Sequence, residues 1–251
     1  MRIIGFIPAR VHSTRFPGKP LADINGKPMI VRVWERAKCA RDLSAVYVVT
    51  DSEEILRAVR NHGGEGFLTR SDHVCGTDRI AQAAEDLGLG PHDIAVNIQG
   101  DQPLFDPLMV EEVIAPLMRD PSIPMSTLIY RIVRDEEITD TNAVKTVIDR
   151  DGFALYFSRA TIPNFGGSDP EPVWYKHHGI YAYRCDFLRR FAQLPQGFLE
   201  RAERLEQLRA LEHGFRIKCV VTEKDSIEVD THEDLARVRK EYCRQGGDGS
   251  Q

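Results

Sequence analysis

Arg10, Arg15 and Lys19 put three cations into ten residues, directly behind the apolar run Ile3-Ile4-Gly5-Phe6-Ile7-Pro8. Between them lie Ser13, Thr14, Pro17 and Gly18, and Pro20 follows. A buried strand that feeds a loop of fixed cations and free backbone N–H groups makes a cradle for a polyphosphate. Arg offers a planar fork of donors to phosphate oxygens, and Lys a compact charge. The plainer alternative is a solvated basic loop, which has no need to follow the first core strand so closely. The loop is not a Walker P-loop, since Gly18-Lys19 runs into Pro20, and no Gly-x-Gly-x-x-Gly turn is present. Side chains must therefore share the phosphates with the backbone, as suits a nucleotide that turns over.

Carboxylates supply the complementary chemistry. Asp101 ends Asn97-Ile98-Gln99-Gly100-Asp101, where a buried strand meets a glycine turn. The carboxyl ends of strands line the ligand crevice of doubly wound sheets, so a carboxylate there, facing a basic loop, is placed to hold Mg²⁺ against phosphates. Gly-Asp also suits an ordinary turn or cap. Asp230 ends Ile227-Glu228-Val229-Asp230, and Thr231 with Asp234 reads as a capping box that leaves Asp230 just outside the next helix.

Other polar positions are weaker by themselves. Arg70, Asp72, Thr77 and Asp78 lie in a loop before a helix, and that stretch also reads as a plain turn. Gln99 could equally satisfy a buried backbone group. Arg159 follows the apolar Ala154-Leu155-Tyr156-Phe157, so its charge needs a partner, either a protein carboxylate or that of a substrate. His177 and Tyr181 flank Gly179 and share one strand face by the period of two. Glu206 and Gln207 sit in 201–213, read as a helix with the stripe Leu205, Leu208, Leu211, where exposed charges are the default. No Ser-His or Cys-His arrangement suggests a covalent intermediate.

The elements that must position these residues alternate. A strand at 3–8 precedes a helix near 28–40 that opens at Pro28, then a strand at 46–50. Asp51-Ser52 caps a helix ending near Gly63-Gly64, and a strand at 65–68, a helix near 77–87 and a strand at 94–98 follow. This is the α/β rhythm of a mostly parallel sheet with helices on both faces. From about 120 the strands at 124–131, 144–149, 153–157 and 178–183 come close together, predicting a mixed extension and a smaller inserted lobe over about 130–190. Helices near 185–193 and 201–213, a strand at 216–222 and a helix from Thr231 complete a single domain, 1–243. Residues 244–251 lack an apolar anchor and are expected to be a mobile tail.

The chain has 251 residues, 42% of them hydrophobic, enough for one large core. No run of eighteen apolar residues predicts a membrane span, and without a cleavable leader the expected location is cytoplasmic. Five scattered cysteines predict neither a zinc site nor a disulfide framework. A net charge of −5 argues against nucleic acid as a partner. An acidic protein that binds a polyanion must concentrate its cations locally and recruit a divalent metal.

GFIPARVHSTRFPGKPLADINGKPMI resembles the nucleotide-binding signature of sugar nucleotidyltransferases, specifically the 3-deoxy-manno-octulosonate (Kdo) cytidylyltransferases. The likeness continues through LTRSDHVCGTDRIAQA, VNIQGDQPL, ALYFSRATIP, KHHGIYAYR, LEQLRALEHG and IEVDTHEDL, from about residue 3 to 241. It implies a Rossmann-like nucleotidyltransferase fold that joins CTP and Kdo into CMP-Kdo and diphosphate for lipopolysaccharide biosynthesis, in a homodimer using Mg²⁺. It implies CTP contacts from Ala9, Arg10, Ser13, Thr14, Arg15, Lys19, Arg70, Asp72, Thr77 and Gln99. Sugar contacts fall to Arg159, His177, Tyr181, Glu206 and Gln207. Asp101 and Asp230 become the metal carboxylates and, with Lys19, the catalytic set. Two departures stand out: Gln102 replaces a frequent Glu, and His178 a frequent Leu. Gln at the first also occurs among relatives resembling 8-amino-Kdo transferases, which leaves that sugar as an alternative. A regulatory nucleotide binder without turnover is another, though it would have no need of both Asp101 and Asp230.

Overall fold

The computed structural model describes residues 1–10, 16–73, 75–167 and 173–244. Ser13, Thr14 and Arg15, and residues 245–251 of the expected tail, lie outside that range. The first half runs β1 (Ile3–Ala9), a 3-10 turn (Lys19–Leu21), β2 (Asp23–Ile24), β3 (Lys27–Pro28), α1 (Met29–Ala37), β4 (Ala45–Thr50), α2 (Glu53–Asn61), β5 (Glu65–Leu68), α3 (Gly76–Asp86) and β6 (Ile94–Asn97). The second runs α4 (Leu108–Arg119), β7 (Met125–Arg131), α5 (Asp135–Thr139), β8 (Lys145–Ile148), β9 (Ala154–Ser158) and β10 (Tyr175–Arg184). It closes with α6 (Cys185–Gln193), α7 (Phe198–Glu203), α8 (Leu208–Glu212), β11 (Ile217–Thr222) and α9 (His232–Arg244).

One mixed sheet carries the order β11-β7-β10-β6-β1-β4-β5, with β8 paired to β10 and β9. Strands β6, β1, β4 and β5 are parallel, and β10 is inserted antiparallel between β6 and β7. From β1 the chain winds one way through β4 and β5, then returns to place β6 on the other side of β1. The loops after β1 and β6 therefore diverge, and the crevice between them is the topological switch point where such sheets bind ligands.

The period of two along β1 explains both layers. Ile3 and Ile7 pack with α1, α2 and α4, while Ile4 and Phe6 pack with α3, α6 and α8. Ser52 caps α2 as expected, its Oγ accepting from the N–H of Ile55 at 3.3 Å. Of the segment expected as an inserted lobe, α5, β8 and β9 stand beyond the main path. The buried β10 belongs to the centre of the sheet and starts three residues before the predicted strand.

Three expectations are corrected. Helix α4 was not anticipated, although Met109, Val110, Val113, Ile114 and Leu117 recur at helical spacing and are all buried. Pro116 sits inside its last turn, where it removes one bond of the ladder, the one to the Glu112 carbonyl. Arg244, assigned to the tail, is the last residue of α9. The helix read over 201–213 is two short helices, broken where Arg204 takes a left-handed conformation at φ 56°.

Long-range bonds override propensity at that break. Glu200 on α7 pairs with Arg209 on α8 at 2.6 and 2.8 Å, both buried, and Glu212 accepts from the N–H groups of Leu199 and Glu200 at the start of α7. Glu200→Ala should strand the Arg209 charge and cost about 3–5 kcal/mol of stability, read as a lower denaturation midpoint. An unchanged midpoint would show that the pair is not what joins these helices.

Candidate active site

A cavity of about 380 Å³ opens at the switch point. Pro8, Asn97, Gln99 and Asp101 reach it from the ends of β1 and β6, and Gly76 and Thr77 from the start of α3. Its other wall comes from the second half, with Arg159, His177, Tyr181, Glu206, Gln207, Glu228 and Asp230.

Lys19, Asp101 and Asp230 converge at one end. The Lys19 ammonium lies 2.7 Å from an Asp101 oxygen and 3.0 Å from one of Asp230. Gly18, at φ 72°, turns the chain into the 3-10 turn that begins with Lys19. Beneath it Phe16, Ile24, Met29, Leu104, Val229, Leu235 and Val238 form a separate apolar cluster, which gathers three distant segments. The N–H of Val229 donates to the Asp101 carbonyl at 2.9 Å, tying the two carboxylate-bearing chains together. Gly100 lets the turn before Asp101 lie close against β1, since a Cβ there would meet the Pro8 carbonyl oxygen at 3.1 Å.

The capping box forms as expected. Asp234 accepts from the N–H groups of Thr231 and Asp230 at 3.0 and 3.2 Å, and the Thr231 hydroxyl accepts from the N–H of Asp234 at 3.1 Å. The Asp230 carboxylate is therefore not used as the cap. Burial alone would ease the proton off Lys19, but Asp101 and then Asp230 outweigh it and raise its pKa. Glu228 lies behind them, its carboxyl raised to about 7 by burial and by the Asp101 and Asp230 charges. Gln102, fully buried, donates to Glu228 at 2.8 Å. A Glu at that position would put two carboxylates together.

Among the described residues no cluster of three or more metal ligands forms. Two carboxylates around one ammonium, with substrate phosphate and water supplying further oxygens, nonetheless suit the donor set of Mg²⁺.

Of the residues expected to contact CTP, Thr77 is buried at the N-terminus of α3 and lines the cavity. Gln99 also lines it, but its amide nitrogen donates to the Gly179 carbonyl at 2.5 Å, the backbone role left open above. Arg10 donates to the His73 carbonyl at 3.0 Å and links the loop after β1 to the one before α3. Ala9 is buried in β1, and its neighbour Pro8 lines the cavity.

Arg70 and Asp72 are not brought to this cavity. Their exposed side chains pair at 3.3 Å and face a separate hollow beside Gln82 and Arg189. The cause is Arg79, fully buried, which bonds Thr69, the Arg70 carbonyl and Asp51, so this loop is pulled down through its backbone with its charges outward.

Of the residues expected to contact the sugar, Arg159 donates from Nε and Nη1 to the carbonyls of Glu203 and Thr141, both at 2.9 Å. It forms no ion pair among the described residues, so a core ion pair is not its role. The His177 and Tyr181 rings lie 5.2 Å apart, as the shared face required. Thr127 Oγ1 donates toward the carbonyls of His178 and Ile180, and thus accepts from His177 Nε2 at 2.9 Å. Burial lowers the His177 pKa to about 3, so the ring is neutral. Glu206 is not on an exposed helix face. It lies between α7 and α8, accepts from Cys75 and Thr77, and burial raises its carboxyl. Gln207 is buried with its amide nitrogen unpartnered among the described residues.

The sequence reading missed Asn97 and Glu228. Asn97 is buried, lines the cavity and leaves Oδ1 unpartnered among the described residues. A polar residue closing the apolar run Ile94-Ala95-Val96 was the available signal. Glu228 gave none, since only the fold brings it beside Asp101.

The comparisons agree with this geometry. The cytidylyltransferase family matches residues 4–224. A 3-deoxy-manno-octulosonate cytidylyltransferase of Syntrophus aciditrophicus (strain SB) is 57% identical over 95% of this chain and 96% of its own length. An 8-amino-3,8-dideoxy-manno-octulosonate cytidylyltransferase of Shewanella sp. (strain ANA-3) is 52% identical over 96% and 98%. A solved CMP:2-keto-3-deoxy-manno-octonic acid synthetase complexed with CTP superposes with a TM-score of 0.91 at 38% identity, covering 98% of this chain and 100% of that one. With a strand-ordered crevice, a cation between two strand-end carboxylates and similarity along nearly the whole chain, this protein belongs to the cytidylyltransferase family.

Proposed function

We propose that the protein joins CTP and 3-deoxy-manno-octulosonate to give the CMP-sugar and diphosphate for lipopolysaccharide biosynthesis. The observation that carries this reading is the meeting of Lys19, Asp101 and Asp230 at the switch-point crevice, facing a wall that holds Arg159, His177, Tyr181 and Gln207. The anomeric hydroxyl oxygen of the sugar forms a bond to the α-phosphorus, the bond to the bridging oxygen of the β-phosphate breaks, and the hydroxyl proton leaves to solvent. Asp101 and Asp230 would hold Mg²⁺, which when bound polarises the phosphate oxygens and lowers the pKa of the attacking hydroxyl. Lys19 neutralises charge growing on the departing diphosphate. Thr77, Asn97 and Gln99 line the end taken by the nucleoside. The neutral His177 ring, with Tyr181, Glu206 and Gln207, holds sugar hydroxyls, and Arg159 holds the sugar carboxylate.

No helix among the described residues is long and apolar enough to cross a membrane. A reaction that consumes CTP belongs in the cytoplasm. Exposed Leu155 on β9 and Val221 on β11 support a homodimer.

Diphosphate release with CTP and a panel of sugar acids tests the reading. Release with 3-deoxy-manno-octulosonate is the expected result. The 8-amino sugar is the second reading, favoured by Gln102 and by similarity to transferases named for it, and preference for it would replace the substrate but keep the reaction. No release with any sugar acid would leave a nucleotide-binding protein instead.

Arg159→Lys should raise the KM for the sugar about thirtyfold, or ~2 kcal/mol, while sparing the KM for CTP. Lysine keeps the charge but cannot hold two carbonyls and a carboxylate fork. A purely structural role predicts a lower melting temperature with unchanged sugar kinetics.

A further inference from the structure

We propose that Lys145 is a positioning and specificity residue for the sugar-acid end of the crevice, one that selects a substrate bearing a carboxylate. This rests on the function proposed above. Lys145 opens β8 and is fully buried. Its ammonium donates to the carbonyls of Asp140 and Ala143, both at 2.5 Å, and forms no ion pair among the described residues. Arg159 donates to the carbonyl of Thr141, in the same turn, at 2.9 Å. Two cations thus tie back three carbonyls of one short turn. That turn carries Asn142 and leads into Val144, and both line the crevice with Arg159.

The charge balance gives the turn a direction. A buried ammonium whose partners are only neutral carbonyls is costly unless an anion lies near. Burial lowers the Lys145 pKa, Arg159 lowers it further, and Asp140 and Glu203 oppose them without restoring it. Glu203 is committed elsewhere, accepting from the Ser158 hydroxyl at 2.6 Å and the N–H of Arg159 at 2.9 Å. A carboxylate entering the crevice beside Arg159 completes the set. Lys145 acts on it through the turn, through Arg159 and through its field, which is strong where water is excluded.

Steady-state kinetics of Lys145→Gln, Lys145→Met and Lys145→Arg in the full chain test this, together with competition by the 2-deoxy sugar acid and by its carboxamide. Gln keeps a donor for the turn but removes the charge. Gln and Met should raise the KM for the sugar acid about tenfold, with smaller change in kcat and in the KM for CTP, and Arg should recover most of the loss. The preference for acid over carboxamide should fall about tenfold in Gln and Met, which loosening of the fold alone would not produce. An unchanged acid preference, or a sugar KM equal to the parent's, overturns the proposal. If Met fails to fold, Gln and Arg decide the matter by the same preference. Failure of the parent to use any sugar acid overturns the function reading and this inference with it, whereas a parent that turns over while Gln is unaffected overturns only the inference.

Discussion

Asp101→Asn should turn over about a thousandfold more slowly than the parent at saturating Mg²⁺, a loss of about 4 kcal/mol at about 1.4 kcal/mol per decade. Asp230→Asn should match it. Each substitution keeps the shape of the side chain and removes one of the two charges that converge on Lys19 at 2.7 and 3.0 Å. The fold should survive, because Asp101 is anchored through its backbone carbonyl by Val229, and the helix after Asp230 is capped by Thr231 and Asp234. Diphosphate release measured beside a thermal melt separates chemistry from folding. Near-parental turnover in either variant would sink the two-carboxylate reading. A shift of the Mg²⁺ titration of the residual activity to higher concentration is the accompanying sign, since loss of a ligand weakens metal binding.

Lys19→Ala should have the next largest effect, lowering kcat by about a hundred- to a thousandfold with a smaller rise in the KM for CTP. Charge on the diphosphate grows as the bond to the α-phosphorus breaks, so a cation there stabilises the transition state more than the bound substrate. Its pKa is raised, because the two carboxylates outweigh the burial that opposes its charge, so it stays protonated at neutral pH. Removing it also leaves Asp101 and Asp230 without the ammonium between them. If the KM for CTP rose while kcat held, Lys19 would be a ground-state anchor instead. Lys19→Arg is a useful second variant: it preserves the charge but brings a wider head into a position sized for an ammonium, and intermediate activity is expected.

Local pattern determined the frame of this protein. Apolar runs and the 3.6-residue spacing marked β1, α1, β4, α2, β5, α3 and β6 within a few residues, because each element buries a face that its own sequence declares. The basic loop after β1 and the carboxylate after β6 were readable for the same reason, as polar residues where a buried strand stops. The motif likeness then brought in Asp230, His177, Tyr181, Glu206 and Gln207, which local sequence alone left ambiguous.

Tertiary structure decided what depends on partners distant in the chain. Glu206 reads as an exposed helical charge, but the Glu200–Arg209 pair and the left-handed Arg204 break that helix and bury the carboxyl against Cys75 and Thr77. Arg70 and Asp72 read as part of the nucleotide loop, but Arg79 holds that loop by its backbone and leaves their side chains outside. Glu228 and Lys145 carry no local signal, since a single Glu or Lys in an extended stretch has no period to betray its burial. Only the packing of residues far apart in sequence puts the one beside Asp101 and the other beneath the turn at Asn142. A side chain's protonation and partners are set by the charges and water around it in space, and the sequence orders those only along the chain.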